Sequence, residues 1–328
     1  MQRSPQSCPD CDSFDRRSFL KTAGVATLAG VAMPMLVGQA GLFAAPTAKS
    51  SAETAVGRFF AALSDEQKKT ICFPFEHELR QRINANWHIT KPKVGSDFFN
   101  KDQQAVISEI IRGVTSEEGY ERLKKQMDED AGGLDEFSVA MFGEPGGKFE
   151  WELTGRHLTL RADGNSVDKA AFGGPIIYGH GEETPKDNIY HYQTQQVNEV
   201  FKALDANQAK VALVDKAPGE AAVTLQGDKG AFPGIGVGQL SADQKQLVTK
   251  TIKMLLAPYR QEDVDEVMEI VKAAGGLDKL HMAFYQQGDL GNDKVWDIWR
   301  VEGPSFVWHF RGAPHVHAYI NIGMAKKG

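Results

Sequence analysis

Two rhythms of apolar and polar residues run along the chain. The first is helical. Val264, Val267, Met268 and Val271 repeat at i, i+3, i+4, i+7, the stripe of a half-buried helix. Helix starts are marked by one recurring chemistry. Ser64-Asp-Glu-Gln67, Asp205-Ala-Asn-Gln208 and Ser241-Ala-Asp-Gln244 each follow a leucine. In each, a short oxygen-bearing side chain can accept the first free backbone N–H, and the glutamine three residues on can reach back to the cap. The pattern predicts helices from Ser64, Gln103, Ser116, Asn188, Ser241 and Glu262.

The second rhythm is the period of two that marks strands, from Phe137 to Arg161 and from Lys279 to Ile322. Each region follows a Gly-Gly pair, in AGGLDEF (131–137) and AGGLDKL (274–280), suited to a left-handed helix end. Laid side by side, FEWELTGRHLTL (149–160) and FVWHFRGAPHVHAY (306–319) read as one strand pair written twice. The expectation is an α+β fold of helices packed on antiparallel strands, with two diverged halves forming one domain. The halves cover about 53–180 and 238–328, with a connector at about 181–237. Residues 162–237 are less regular, and AFGGPIIYGHGEETP and KGAFPGIGVG read as loops. GIGVG at 234–238 lacks the lysine of a phosphate loop and a full GxGxxG, so no nucleotide cofactor is expected.

In the first copy a Gly155-Arg156 turn would pair Thr154 with His157 and Glu152 with Thr159. Trp151, Leu153, Leu158 and Leu160 then share the opposite, apolar face. In the second copy a Gly312-Ala313-Pro314 turn would set His309 against His317 and Arg311 against His315. Opposed Cβ atoms lie about 5 Å apart, close enough for two imidazoles to share an ion. His309, His315 and His317 are therefore candidate ligands of one divalent transition metal, with zinc favoured and copper or iron open. Arg311 is a candidate for holding an anionic substrate group, and Glu152 or Glu302 for a base. The other reading is structural: a polar strand face that meets solvent or packs beneath a helix.

Length, composition and charge refine this picture. The chain has 328 residues and a formal charge of −6, enough for a large core and too acidic, without a basic stripe, to suggest a nucleic-acid partner. Arg16 and Arg17, followed by Ser18, Phe19, Leu20 and Lys21 and an apolar run to about Leu42, resemble a twin-arginine export signal. Residues 1–48 are read as that signal and its cleavage region, near Ala44, Ala45 and Ala48. The translocase would be the export partner, the destination periplasmic, extracellular or cell-envelope, and residues 49–328 the mature domain. Interspersed glycines and Pro34 disfavour the alternative, a permanent membrane anchor. Cys8 and Cys11 would leave with the signal, and Cys72 alone cannot form an internal disulfide.

Four segments resemble the secreted bacterial family known as domain of unknown function 3500. They are Arg82 to Trp87 after a Phe-rich run, the Trp151 strand leading to Gly155, His157 and Leu158, FGGPIIYG, and the terminal HVHAYIN. Arg156 stands where the family carries a first histidine. The resemblance spans roughly 55–325 and implies a single unit with histidines at its strand ends. It adds Arg82, Trp87 and His157 as candidate substrate contacts and brings no established activity. Three functions fit: a metal-dependent hydrolase, a non-catalytic binder of a small molecule or glycan, or a copper-dependent oxidative enzyme.

Overall fold

The structure, a computed structural model, describes residues 45–182, 184–291 and 293–325. The twin-arginine segment, the Cys8–Cys11 pair and Glu183 lie outside the described residues. No helix among the described residues is long and apolar enough to cross a membrane.

The fold is α+β. The helices are α1 (Ser51–Ala61), α2 (Asp65–Ile71), α3 (Lys101–Val114), α4 (Glu117–Ala131), α5 (His191–Lys202), α6 (Ala206–Ala212), α7 (Ala242–Leu256) and α8 (Gln261–Ala273). The strands are β1 (Cys72–Phe73), β2 (Ser138–Gly143), β3 (Phe149–Gly155), β4 (Leu158–Ala162), β5 (Ile176–His180), β6 (Leu213–Val214), β7 (Ile235–Gly236), β8 (His281–Tyr285), β9 (Ile298–Gly303), β10 (Phe306–Arg311) and β11 (Val316–Ile322). Capping boxes form at Ser64, Asp205 and Ser241, and a fourth forms at Asn100. Gly132 ends α4 in the left-handed region, at φ 87°, where a side chain would be strained. Helix α1 was not foreseen: its start carries no side-chain cap for the sequence to show.

One sheet runs in the order β1-β2-β3-β4-β5-β11-β10-β9-β8-β6, with β7 on β8. That order is a palindrome. Short β1 and β6 each add a parallel edge strand, to β2 and β8, and β5 meets β11 antiparallel at the centre. The register matches too: Gly155↔Leu158 closes the β3–β4 turn as Gly303↔Phe306 closes the β9–β10 turn. Trp151 therefore corresponds to Trp299, Glu152 to Arg300 and Arg161 to His309. The superposition of 149–160 on 306–319 is thus corrected. The counterpart of β3 and β4 is β9 and β10, and two unrelated tryptophans, Trp151 and Trp308, had suggested the wrong alignment.

Both predicted turns are also corrected. Observed pairs are Thr154↔Thr159 and Glu152↔Arg161 in the first hairpin, and His309↔Tyr319 and Arg311↔His317 in the second. Each register shifts by two residues, which leaves every side chain on its predicted face because strands alternate with period two. The turn residues are Arg156 and His157, and in the second hairpin the longer span Gly312 to Val316 separates the paired positions.

The two faces of the sheet differ in chemistry. One is apolar and lies under the helices. Trp151, Leu153, Leu158 and Leu160 pack with Val56, Phe59, Ile107 and Ile111, while Trp299, Phe306, Trp308 and Phe310 pack with Val197, Ile252, Leu255 and Val267. Each buried aromatic contributes roughly 1.5–3 kcal/mol of transfer free energy. The other face is polar and also buried. Glu150, Glu152, Thr154, Thr159, Arg161, Arg300, Glu302 and His309 are all under 5 % exposed. It packs beneath two largely irregular segments, about 74–94 after β1, which includes a single 3-10 turn at Glu78–Gln81, and 215–234 after β6. Ile89 N–H donates to Thr154 Oγ1 at 2.8 Å, Asn321 Nδ2 donates to Val223 O at 2.8 Å, and Ala85 and Val223 share an apolar cluster with Ile177, Val307 and Tyr319.

A three-imidazole candidate metal centre

His157 occupies the β3–β4 turn with φ 56°, in the left-handed region. Among non-glycine residues that region favours Asn, Asp and His. The conformation is held from both sides: His157 N–H donates to Ala85 O at 2.6 Å, and His157 O accepts from Gln126 Nε2 at 2.9 Å. The ring then lies over Gly179 of β5. A Cβ at Gly179 would stand 3.1 Å from His157 Cβ and 2.3 Å from Val316 O. The Gly179→Ala variant is accordingly expected to lose thermal stability and displace the His157 ring. Both are readable from a melt and from the imidazole proton resonances.

His317 is directly across from Gly179 on β11. His315 precedes it in the β10–β11 loop. Ring centroids of His157 lie 4.9 Å from His317 and 5.2 Å from His315, and the last two are 4.7 Å apart. One nitrogen from each of the three falls within 4.8 Å of the others, so the group could hold a metal ion.

Carboxylates orient two of the rings. His157 Nδ1 is 2.7 Å from Asp130 Oδ2, and Asp130 Oδ1 accepts Gly181 N–H at 2.6 Å. His317 Nδ1 is 2.8 Å from Glu220 Oε2, and Glu220 Oε1 pairs with Arg311 Nη1 at 3.1 Å. Burial pushes both acids up, but the bonds from His157 and Gly181, and from His317 and Arg311, outweigh it and leave both below the usual carboxylate range. Both are therefore ionised acceptors, and each imidazole keeps its proton on Nδ1, leaving Nε2 for the centre.

The remaining contacts set an unusual demand. Arg311 Nη2 lies 3.2 Å from His315 Nε2, and a guanidinium can only donate. His315 Nε2 thus presents a lone pair. It stands 3.0 Å from His317 Nε2, which presents a lone pair as well. Burial, then the charges of His317 and Arg311, pulls His315 down to about 4, and burial also lowers His317 despite the Glu220 bond. The two nitrogens thus face each other as acceptors, an arrangement a cation could satisfy.

The other sequence candidates lie elsewhere. His309 is on the same sheet face but pairs with Arg300 and Tyr319, is 1 % exposed, and has no partner for Nδ1 among the described residues. Burial, then Arg300, brings its pKa down to about 4. Its predicted place in the trio is taken by His157, because the true register slides His309 one pair further from the loop. Glu152 is fully buried with Arg161 (2.6 Å) and Glu150, and burial raises it well above the carboxylate range. Glu302 is bound by Arg300 and Gln226. Trp87 packs on Ile89, Ala140 and Phe142, with the Arg82 guanidinium 4.7 Å over its ring. Asp130 and Glu220 were missed. Asp130 sits at the end of a charged helix and Glu220 in the covering segment, and neither has a spacing that would mark it.

Beside the trio, a cleft of about 400 Å³ is lined by Lys125, Glu129, Asp130, Arg156, His180 and Gly181, among others. His180 Nε2 is 2.9 Å from Glu129 Oε2 there.

Comparison with known proteins returned no match among curated proteins or solved structures. Residues 46–321 match the family model described as "Protein of unknown function (DUF3500)", which carries the resemblance through the sheet, both covering segments and all three imidazoles. The chain belongs to that family.

Proposed function

We propose that the protein is a metal-dependent hydrolase acting outside the cytoplasm, with His157, His315 and His317 as ligands. One observation carries this reading: three imidazoles converge, and two of them are braced at Nδ1 by Asp130 and Glu220. That outer brace recurs wherever histidine ligates a metal. A set of three imidazole ligands favours zinc in a catalytic rather than a structural role. His157, His315 and His317 would hold the ion, and zinc there would supply a Lewis acid for hydrolysis.

The chain's own residues would do the rest. Arg311, whose Nη2 lies 3.2 Å from His315 Nε2, would offer its guanidinium to an anionic oxygen of the substrate. Glu220 holds Arg311 and His317 in fixed relation, and its charge offsets the guanidinium beside a cation. Export rests on the Arg16-Arg17 segment.

The test is elemental mass spectrometry of untagged protein purified without chelator, followed by a panel of nitrophenyl esters and phosphoesters. About one zinc per chain with chelator-sensitive hydrolysis is expected. One copper with turnover of a reductant would select the oxidative reading. Metal-free protein that resists reloading would reject both and leave a binding role.

A further inference from the structure

The polar sheet face carries a second opening in the other half of the molecule. A cleft of about 530 Å³ lies between the covering segment and strands β8 and β9, lined by Lys216, Ala217, Pro218, Tyr285, Arg300 and Glu302 among others. That volume is in the range of small-molecule sites. Two of its lining residues carry a buried polar atom with no partner among the described residues: Tyr285 Oη and Arg300 Nη1. Tyr285 is 0 % and Arg300 3 % exposed. Buried donors left unmet cost more than ordinary bonds gain, so such pairs mark an absent partner.

The rest of Arg300 is committed. Nε donates to Glu302 Oε2 at 2.8 Å, and Nη2 donates to Ala222 O at 2.6 Å and to Glu302 Oε1 at 3.1 Å. Glu302 Oε1 also accepts from Gln226 Nε2 at 2.9 Å. Glu302 therefore fixes the guanidinium and is not free to act as a base. Burial pushes the Tyr285 hydroxyl up to about 12, so it remains a donor.

The matching place in the first half shows what is missing. There Arg161 Nη1 donates to two carboxylates, Glu150 and Glu152. Arg80 enters from the covering segment, pairs with Glu150 at 2.9 Å and stacks 4.2 Å over Phe75. In the second half Ile298 stands where Glu150 would be, so the Arg300 guanidinium has one carboxylate, Glu302, where Arg161 has two, and the cleft lies beside it.

We propose that this cleft binds a small monocarboxylate with an apolar body. Its carboxylate accepts from Arg300 Nη1 and Tyr285 Oη, and its body lies against Ala217 and Pro218. Exposed Lys216 at the rim adds attraction for the anion. The site does not depend on metal at the imidazoles.

The experiment is titration calorimetry with benzoate, with benzyl alcohol and inorganic phosphate as comparison probes. Benzoate is expected to bind one-to-one and more tightly than either. Tyr285→Phe, which keeps the ring and the fold, should weaken it about tenfold, the effect of one hydrogen bond to a charged group. Lys216→Glu should weaken it severalfold at low salt. His315→Ala/His317→Ala should bind benzoate as wild type does. Absence of benzoate binding at about 10 mM, a millimolar ceiling for a specific site, would overturn the proposal. So would equal binding of benzyl alcohol or phosphate, an unchanged affinity in both Tyr285→Phe and Lys216→Glu, or loss of binding in the double histidine variant.

Discussion

In the His157→Ala variant, bound metal should fall from about one equivalent per chain to background, while His309→Ala should retain it. Removing a ligand should cost more than the roughly 10–100-fold in affinity typical of changes one shell further out. Asp130→Asn belongs to that outer class. It keeps the bond to His157 but loses the charge that fixes its proton on Nδ1, so occupancy should drop only under competition with a chelator. Elemental analysis of the three purified variants reads all of these outcomes. Equal metal in His157→Ala and wild type would exclude the trio as the site. Metal loss in His309→Ala with a wild-type melt would place the site one pair deeper in the sheet. The variants are safe to compare because His157 is in a turn, with its backbone N–H and C=O bonds intact in alanine apart from the cost of a positive φ.

Replacing Arg260 by Met should lower the melting midpoint by about 10 °C at pH 8 and by much less at pH 5. Arg260 lies 7 % exposed at the start of α8 and clamps Glu53 of α1 through Nη1 (2.8 Å) and Nη2 (2.7 Å), and Asp263 through Nε (2.9 Å). Breaking a buried pair from one side costs about 3–5 kcal/mol, and a chain of this size loses roughly 2–4 °C for each. The pH dependence follows from the acids around it. Burial raises Asp163 to about 6, Asp263 to about 7 and Glu266 to about 8, outweighing the backbone bond from Val167 at Asp163 and the Arg260 charge at Asp263, against about 4 when unfolded. Between pH 4 and 8 these three acids therefore hold more protons in the folded chain than in the unfolded one, and their contribution to stability falls as pH rises. His309 and His315, drawn down to about 4, act in the opposite sense below about pH 6.5, so the sign is read from the difference between variant and wild type. Without Arg260, Glu53 and Asp263 lose the guanidinium that clamps them, Asp263 and Glu266 titrate higher still, and the fall becomes steeper. Melts of both proteins from pH 5 to 8 check the sign. A deficit of the variant that is no larger at pH 8 than at pH 5 would contradict it.

What could be read in the sequence was what is local or periodic. Capping boxes at Ser64, Asp205 and Ser241 are four-residue objects and formed as written. Face assignments survived because a two-residue register error changes every partner and no side-chain direction. The same error moved the centre. Turn length decides which residue reaches across a hairpin, and nothing in GRHL says that His157, rather than Gly155, adopts the left-handed turn. Strand β5 was taken for a loop because IIY is hemmed by glycines, and the reason for Gly179 is visible only once the His157 ring lies on it. Asp130, Glu220, Arg300 and Tyr285 owe their roles to contacts across the sheet and its covering segments, which no local spacing encodes. The polarity of the covered face was legible; that irregular segments, not solvent, would close it was not.

Joining β5 to β11 is a non-local event. The strands lie in distant parts of the chain, and until they pair, each half carries an open edge of a kind that invites association with other chains. Long loop closure of this sort is slow compared with forming the hairpins on either side. His157 is held on one side of the seam and His317 on the other, their rings 4.9 Å apart only when it is shut. The contact between them is therefore a late folding event. An ion gripping both would act as a latch on the closed seam, slowing its reopening by mass action more than it speeds the search that closes it.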